Sequence, residues 1–140
     1  EVIHSSKKGK SQKILVNCNK KLIINSDKNC LYRIVFNLVD NACKYGNKVL
    51  LKAVKIKNNL TIEIDDDGPG IPIQFRKKIF KPFYKIDSSR NLNQGGSGLG
   101  LSIAKELAGK LKGKINITES KKLNGSCFQI KITDSNLDRV

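Results

Sequence analysis

Three stretches of the 140-residue chain offer groups that could do chemistry. In "NLVDNACKY" (37–45), Asn37, Asn41 and Lys44 fall at spacings of four and three, so on a helix they share one stripe. An amide oxygen there could serve a hard cation and an ammonium a phosphate, although such a stripe can equally be a solvated face. In "DDDGPGI" (65–71), Asp66 stands beside a turn forced by Gly68, Pro69 and Gly70. A carboxylate beside a pocket could accept from an exocyclic amino group such as that of adenine; an ordinary acidic turn is the alternative. Ile71, Ile73 and Phe75 exclude the alternating oxygen ligands of a calcium loop. In "GGSGLGL" (95–101), Gly96, Gly98 and Gly100 run into a helix pattern. Backbone N–H groups at a helix N-terminus suit an oligophosphate, while a flexible connection would read the same way in isolation. No G-K-[ST] follows, and the stretch comes late without a βαβ setting, so neither common phosphate-loop fingerprint applies.

These groups need elements to hold them. Over 28–45 the apolar residues Leu31, Val35, Leu38 and Ala42 recur at four, three and four, predicting an amphipathic helix. Asp27 stands at its N-cap position, and Gly46 with Asn47 stops it. Strands are predicted at 13–17 ("KILVN"), 21–25 ("KLIIN"), 48–56 and 60–65, where Ile62 and Ile64 alternate with polar neighbours. A short helix follows Pro72 over about 72–80, then a polar loop at 85–97 and a helix to about 111. Two strands, "KINIT" and "SCFQIKIT", close the chain. Hairpin pairs at both ends argue against a purely parallel sheet. The predicted fold is α+β, a two-layer sandwich of a mixed sheet of about five strands covered on one face by about three helices.

Composition narrows the function classes. The length predicts a single domain over 1–140. No run approaches 18 apolar residues, and "EVIHSSKKGK" has no apolar signal core, so neither a transmembrane helix nor a signal peptide is expected. The chain does not begin with Met, as expected of a piece of a longer protein. A net charge of +15 raises nucleic-acid binding. However, 23 Lys against 4 Arg, scattered from Lys7 to Lys131, is a composition that A+T-rich coding also produces. Nucleic acid is not an expected partner, since phosphate and base readers favour the arginine fork. Cys18, Cys30, Cys43 and Cys127 form no C-x-x-C pair and His4 is distant, so no zinc site is expected and the thiols read as reduced.

Taken in order, "NLVDNACKY", "DDDGPGI", "FKPFYK" and "GGSGLGLSIAKELA" resemble the N box, first glycine box, F box and second glycine box of bacterial sensor histidine kinases. "NGSCFQIKI" resembles a weaker third glycine box. The resemblance is to the catalytic, ATP-binding domain and covers about residues 13–133, the expected core. It implies a Bergerat-type fold binding ATP and Mg²⁺. Asn41 would hold Mg²⁺, Lys44 would contact phosphate, and Tyr45 would lie against the nucleotide. Asp66 would accept from adenine N6, with Gly68 and Gly70 admitting the base; Ile71, Phe83 and Ser126 join the nucleotide-binding set. Residues 85–97 would form an ATP lid, with Lys85 and Arg90 reaching the γ-phosphate. Gly96, Ser97, Gly98 and Gly100 would wrap the phosphates, and Leu99 and Leu101 would anchor the far end of the lid.

Related ATPases of this superfamily resemble one another in carrying Glu four residues before the metal-binding Asn. Here that position is Asn37, and a neutral amide cannot take a proton from water. Phosphoryl transfer to an imidazole needs chiefly positioning and charge neutralisation, which favours the kinase over a hydrolase, with Asn37, Asn41, Lys44, Lys85 and Arg90 as its catalytic set. Lys85 stands where the family often has Arg. The acceptor segment, a His followed by an acidic residue in a helical hairpin, is absent, and His4 in "VIHSSKK" does not match it. The resemblance therefore implies transfer to a separate dimerisation and histidine-phosphotransfer domain of the same or a partner chain. A response regulator follows indirectly, the parent would be a homodimer, and this domain would be cytoplasmic without membrane contact of its own, whether or not the parent is anchored in the inner membrane. Two other readings stay open: a related non-kinase ATP binder, such as an anti-sigma-type serine kinase or degenerate regulator, and a basic nucleic-acid module.

Overall fold

Helix α1 (Lys28–Tyr45) forms where the apolar spacing predicts it, with Ile34, Leu38, Ala42 and Cys43 buried. Its N-cap is Asp27, whose Oδ1 accepts from the N–H groups of Asn29 at 3.0 Å and Cys30 at 3.1 Å. The bond from Cys30 is the main reason that this carboxyl titrates below its ordinary value. Gly46 ends the helix, its N–H donating to Ala42 O.

The computed structural model describes residues 2–7, 10–86 and 98–133. Six strands build one sheet: β1 (Val2–Lys7), β2 (Lys10–Cys18), β3 (Lys48–Ile56), β4 (Asn59–Asp66), β5 (Lys114–Glu119) and β6 (Ser126–Thr133), in the order β1-β2-β3-β4-β6-β5. Strands β2 and β3 run parallel; every other neighbouring pair is antiparallel. Period-two alternation gives the sheet two unlike faces. Leu60, Ile62 and Ile64 of β4 lie opposite Ile132, Ile130 and Phe128 of β6, all buried. This face receives α1 and α2 (Gly100–Lys110), which contributes Ala104, Leu107 and Ala108 to the core. Phe80 closes one end, edge-on to Phe128 at 6.5 Å between centroids. Thr61, Glu63 and Asp65 of β4, with Cys127 and Gln129 of β6, fall on the opposite face.

The predicted α+β sandwich with a mixed sheet is therefore present, with six strands where about five were expected. The additional strand is β1, paired with β2 from Val2↔Leu15 to Lys7↔Lys10. The strand predicted at 21–25 does not form. Parallel β2 and β3 require a crossover, and these residues are spent in reaching α1 on the helical face. Ile23 is left 79% exposed, and its carbonyl accepts from Lys55 Nζ at 2.8 Å instead of from a ladder partner. The helix predicted over 72–80 is two separate 3₁₀ turns, Ile73–Phe75 and Lys78–Phe80, the first led by Pro72 without a side-chain cap.

Candidate functional site

A side chain from the middle of α1 hydrogen-bonds to the start of α2: Asn37 Nδ2 donates to Gly100 O at 3.2 Å. The end of α1 meets the turn after β4, where a Cβ added to Gly68 would come within 2.9 Å of Tyr45 O. Asn41 and Lys44 lie between these contacts on the same stripe. Among the described residues, the half-buried amide of Asn41 forms no hydrogen bond, so its hard oxygen is available to a ligand. Lys44 Nζ sits 3.3 Å from Asp40 Oδ2, one turn back. That partly solvated pair is worth under about 1 kcal/mol and leaves the ammonium easy to recruit. Tyr45 is 44% exposed.

Asp66 ends β4 with its side chain on the helical face, 3% exposed. Its Oδ1 accepts from Gly68 N at 2.9 Å and Ser126 N at 3.2 Å, leaving Oδ2 as the remaining acceptor. Burial raises the Asp66 carboxyl above its ordinary value, opposed by the two N–H donors and helped by the neighbouring carboxylates. Gly125 belongs to this arrangement although the motif reading gave it no role. A Cβ there would overlap the Asp66 carbonyl, so only glycine lets β6 start this close to β4. Asp67, also unassigned from sequence, accepts from Asn47 N at 2.7 Å and Lys48 N at 3.0 Å and ties the turn to the start of β3. The signals were Gly125's place as the glycine of "NGSCFQIKI" and Asp67's position directly after Asp66.

Gly70 has φ +77°, a conformation that suits glycine, and lies open towards Gly125 O. Ile71 is half-buried and its carbonyl accepts from Arg76 Nε at 2.9 Å. The two phenylalanines of "FKPF" part ways: Phe80 is core, whereas Phe83 is 70% exposed at φ +62°. Phe83 N donates to Gly98 O at 2.9 Å. Lys85, two residues beyond, is exposed. The predicted site residues Arg90, Gly96 and Ser97 lie outside the described residues.

Helix α2 begins at Gly100 behind an apolar N-cap, Leu99, which gives no side-chain hydrogen bond to the first turn. The leading N–H groups of a helix have no intrahelical partners, and they carry the positive end of its dipole. Ser102 Oγ turns back to Leu99 O at 2.8 Å, and Leu101 packs on the core. A separate groove of about 580 Å³, lined by Asn17, Lys21, Lys52 and Lys55 among others, lies along β2 and β3 and contains none of the motif residues.

Comparison with known proteins agrees with this arrangement. A family model described as "Histidine kinase-, DNA gyrase B-, and HSP90-like ATPase" matches residues 26–136. The sensor protein CiaH of Streptococcus pneumoniae is 37% identical over 112 residues, which cover 76% of this chain and 24% of CiaH. The chain thus spans about a quarter of the length of that curated relative. Among solved structures, the mycobacterial sensor histidine kinase MprB superposes with a TM-score of 0.71 at 28% identity, covering 86% of this chain and 80% of that one. Full-length ShkA in complex with AMPPNP gives 0.72 at 26% identity, over 87% of this chain and 26% of ShkA.

Proposed function

Because the chain belongs to the histidine kinase-, DNA gyrase B- and HSP90-like ATPase family, we propose that it is the ATP-binding catalytic domain of a two-component sensor histidine kinase. It transfers the γ-phosphoryl group of ATP to a histidine on a separate dimerisation and phosphotransfer domain. The observation that carries this reading is the Asp66 carboxylate, buried at the end of β4 with Oδ1 held by two backbone N–H groups. Its remaining oxygen is a fixed acceptor that suits the adenine amino group and disfavours a base carrying a carbonyl there.

Asn37 supports a kinase over a hydrolase. Its amide is spent as a donor to Gly100 O, and it has no basic form at working pH. Water therefore has no general base at that position, whereas an incoming imidazole brings its own nucleophile. The uncapped N–H groups at the start of α2 and the Lys44 ammonium would receive phosphate oxygens, with Lys85 and Arg90 at the γ end. The free amide oxygen of Asn41 fits Mg²⁺, which takes one or two protein oxygens and completes its octahedron from phosphate and water. When bound, the ion would neutralise charge developing on the phosphates. No helix among the described residues is long and apolar enough to cross a membrane. The domain would act from the cytoplasm within a homodimeric parent and pass phosphate onward to a response regulator.

The reading is tested by mixing the chain with radiolabelled ATP, Mg²⁺ and a histidine-bearing helical-hairpin domain. Acid-labile, base-stable phosphate on the hairpin is the expected result. Acid-stable phosphate on a hydroxyl, or ATP binding with no transfer to any hairpin tried, would replace the kinase assignment with that of another ATP binder.

A further inference from the structure

The face of the sheet turned away from the helices carries a second cluster. Alternation along β4 sets Glu63 and Asp65 on this face, opposite to Ile62 and Ile64. The β4–β6 register puts Cys127 directly across from Asp65 and Gln129 across from Glu63. One ligand-capable atom from each of Glu63, Asp65 and Cys127 lies within 4.8 Å of the other two.

A second observation points to a missing partner. Asp65 is only 3% exposed, and its Oδ1 accepts from Ser120 Oγ at 2.7 Å. Its Oδ2 is buried with no hydrogen-bond partner. A buried carboxylate oxygen in that state is strongly unfavourable unless a cation or donor meets it. Apart from the Cys127 thiol, a weak donor that interacts with this carboxyl, the neighbouring side chains supply none. Lys52 is directly across the ladder from Glu63 yet forms no ion pair with it among the described residues. Gln129 Nε2 donates to Glu63 Oε1 at 3.1 Å, orienting that carboxylate as outer partners orient metal ligands.

We propose that Glu63, Asp65 and Cys127 form a binding site for a borderline-soft divalent cation of the Zn²⁺ type. The thiol loses its proton to solvent as the metal–sulfur bond forms, and no electron is transferred. Two carboxylate oxygens and water complete a four-coordinate shell. Hard cations fit poorly, because they want six or more oxygen ligands and gain little from sulfur. Glu63, half-buried, leaves the cluster a route to solvent. The metal fastens β4 to β6 and, through the Ser120 bond to Asp65, fixes the start of the turn between β5 and β6. This site does not depend on the nucleotide reading.

The test titrates Co²⁺ and then Zn²⁺ into the 140-residue chain without ATP or Mg²⁺. Expected are a near-ultraviolet thiolate-to-cobalt band, its displacement by Zn²⁺, and a rise in Tm with Zn²⁺. Cys127→Ser should abolish the band, while Cys18→Ser, Cys30→Ser and Cys43→Ser keep it. Glu63→Gln, a near-isosteric change that removes one charge from a half-buried strand position, should fold normally. Loss of outer-shell partners alone weakens metal sites by about 10–100-fold, so Zn²⁺ affinity in that variant should fall by about tenfold or more. No thiolate band in the unaltered chain, a band surviving Cys127→Ser, or unchanged affinity in Glu63→Gln would each overturn the proposal.

Discussion

Phe83 and Gly98 are joined backbone to backbone, the N–H of one donating to the carbonyl of the other at 2.9 Å, and both have positive φ, +62° and +74°. A Cβ at Gly98 would stand 2.9 Å from Phe83 Cα, so the two backbone segments touch with no room for a side chain. The contact brings together the ends of residues 84–97. Gly98→Ala combines a disfavoured φ with a clash against backbone and should cost about 1–3 kcal/mol. ATP affinity should fall with it, because α2 starts two residues later. Thermal melts and nucleotide titration check this; a fully stable variant with intact binding would show the contact to be incidental.

Asp66→Asn separates binding from folding. Two backbone donors hold Oδ1 in its present place, so the new NH₂ must replace Oδ2 and set a donor against a donor on adenine. ATP binding should be lost while the fold is kept. The folded pKa is raised above 3.8, so the contribution of this group is stabilising below 3.8 and is lost as pH rises through the folded value. At neutral pH the ionised carboxylate opposes folding, and Asn removes that cost. The variant should melt no lower than the parent at pH 7 and show a flatter pH dependence just above 3.8. A clear drop in Tm at pH 7 would contradict the assignment.

Asn37→Ala removes the side-chain hydrogen bond that joins α1 to the first residue of α2. A loss of about 0.5–1.5 kcal/mol in urea unfolding is expected, along with weaker nucleotide binding from a less fixed α2 N-terminus. Unchanged unfolding would mean that packing alone holds the two helices.

Cysteine reactivity should rank by environment. Cys127 is buried, and burial first, then the Asp65 and Glu63 carboxylates, pushes its thiol up to about 12. Cys18 is exposed. Iodoacetamide at pH 8 without added metal should label Cys18 promptly and Cys127 only on unfolding, as read by peptide mass spectrometry. Early labelling of Cys127 would refute this environment.

Sequence pattern exposed those parts of the molecule set by local rules. The apolar spacing of α1 and its Asp27 cap were legible because a helix is determined by neighbours three and four residues away. The strand expected at "KLIIN" had suitable residues, but the parallel pairing of β2 and β3 turned its carbonyl at Ile23 towards Lys55. β1 was missed because "VIHSSK" is too polar to signal a strand; it is defined by its backbone pairing with β2. The motifs named Asp66, yet not the sharing of its Oδ1 between Gly68 and Ser126. Likewise, no spacing rule links Asp65 to Cys127. Both depend on which strands become neighbours, a property of the whole sheet.

The pairing of β4 with β6 also bears on the order of assembly. Residue 65 meets residue 127 only after both 3₁₀ turns, α2 and β5 have been brought round, a long closure with a correspondingly large entropic cost. Strands β3 and β4, by contrast, meet across a tight turn at Ile56↔Asn59. In pulse-labelled hydrogen exchange during refolding, amides of β3 and β4 should be protected first and those of β6 last. Ser126 N–H, which completes the cradle of Asp66, falls in the late group, so the chain would acquire its affinity for nucleotide in the final step of folding.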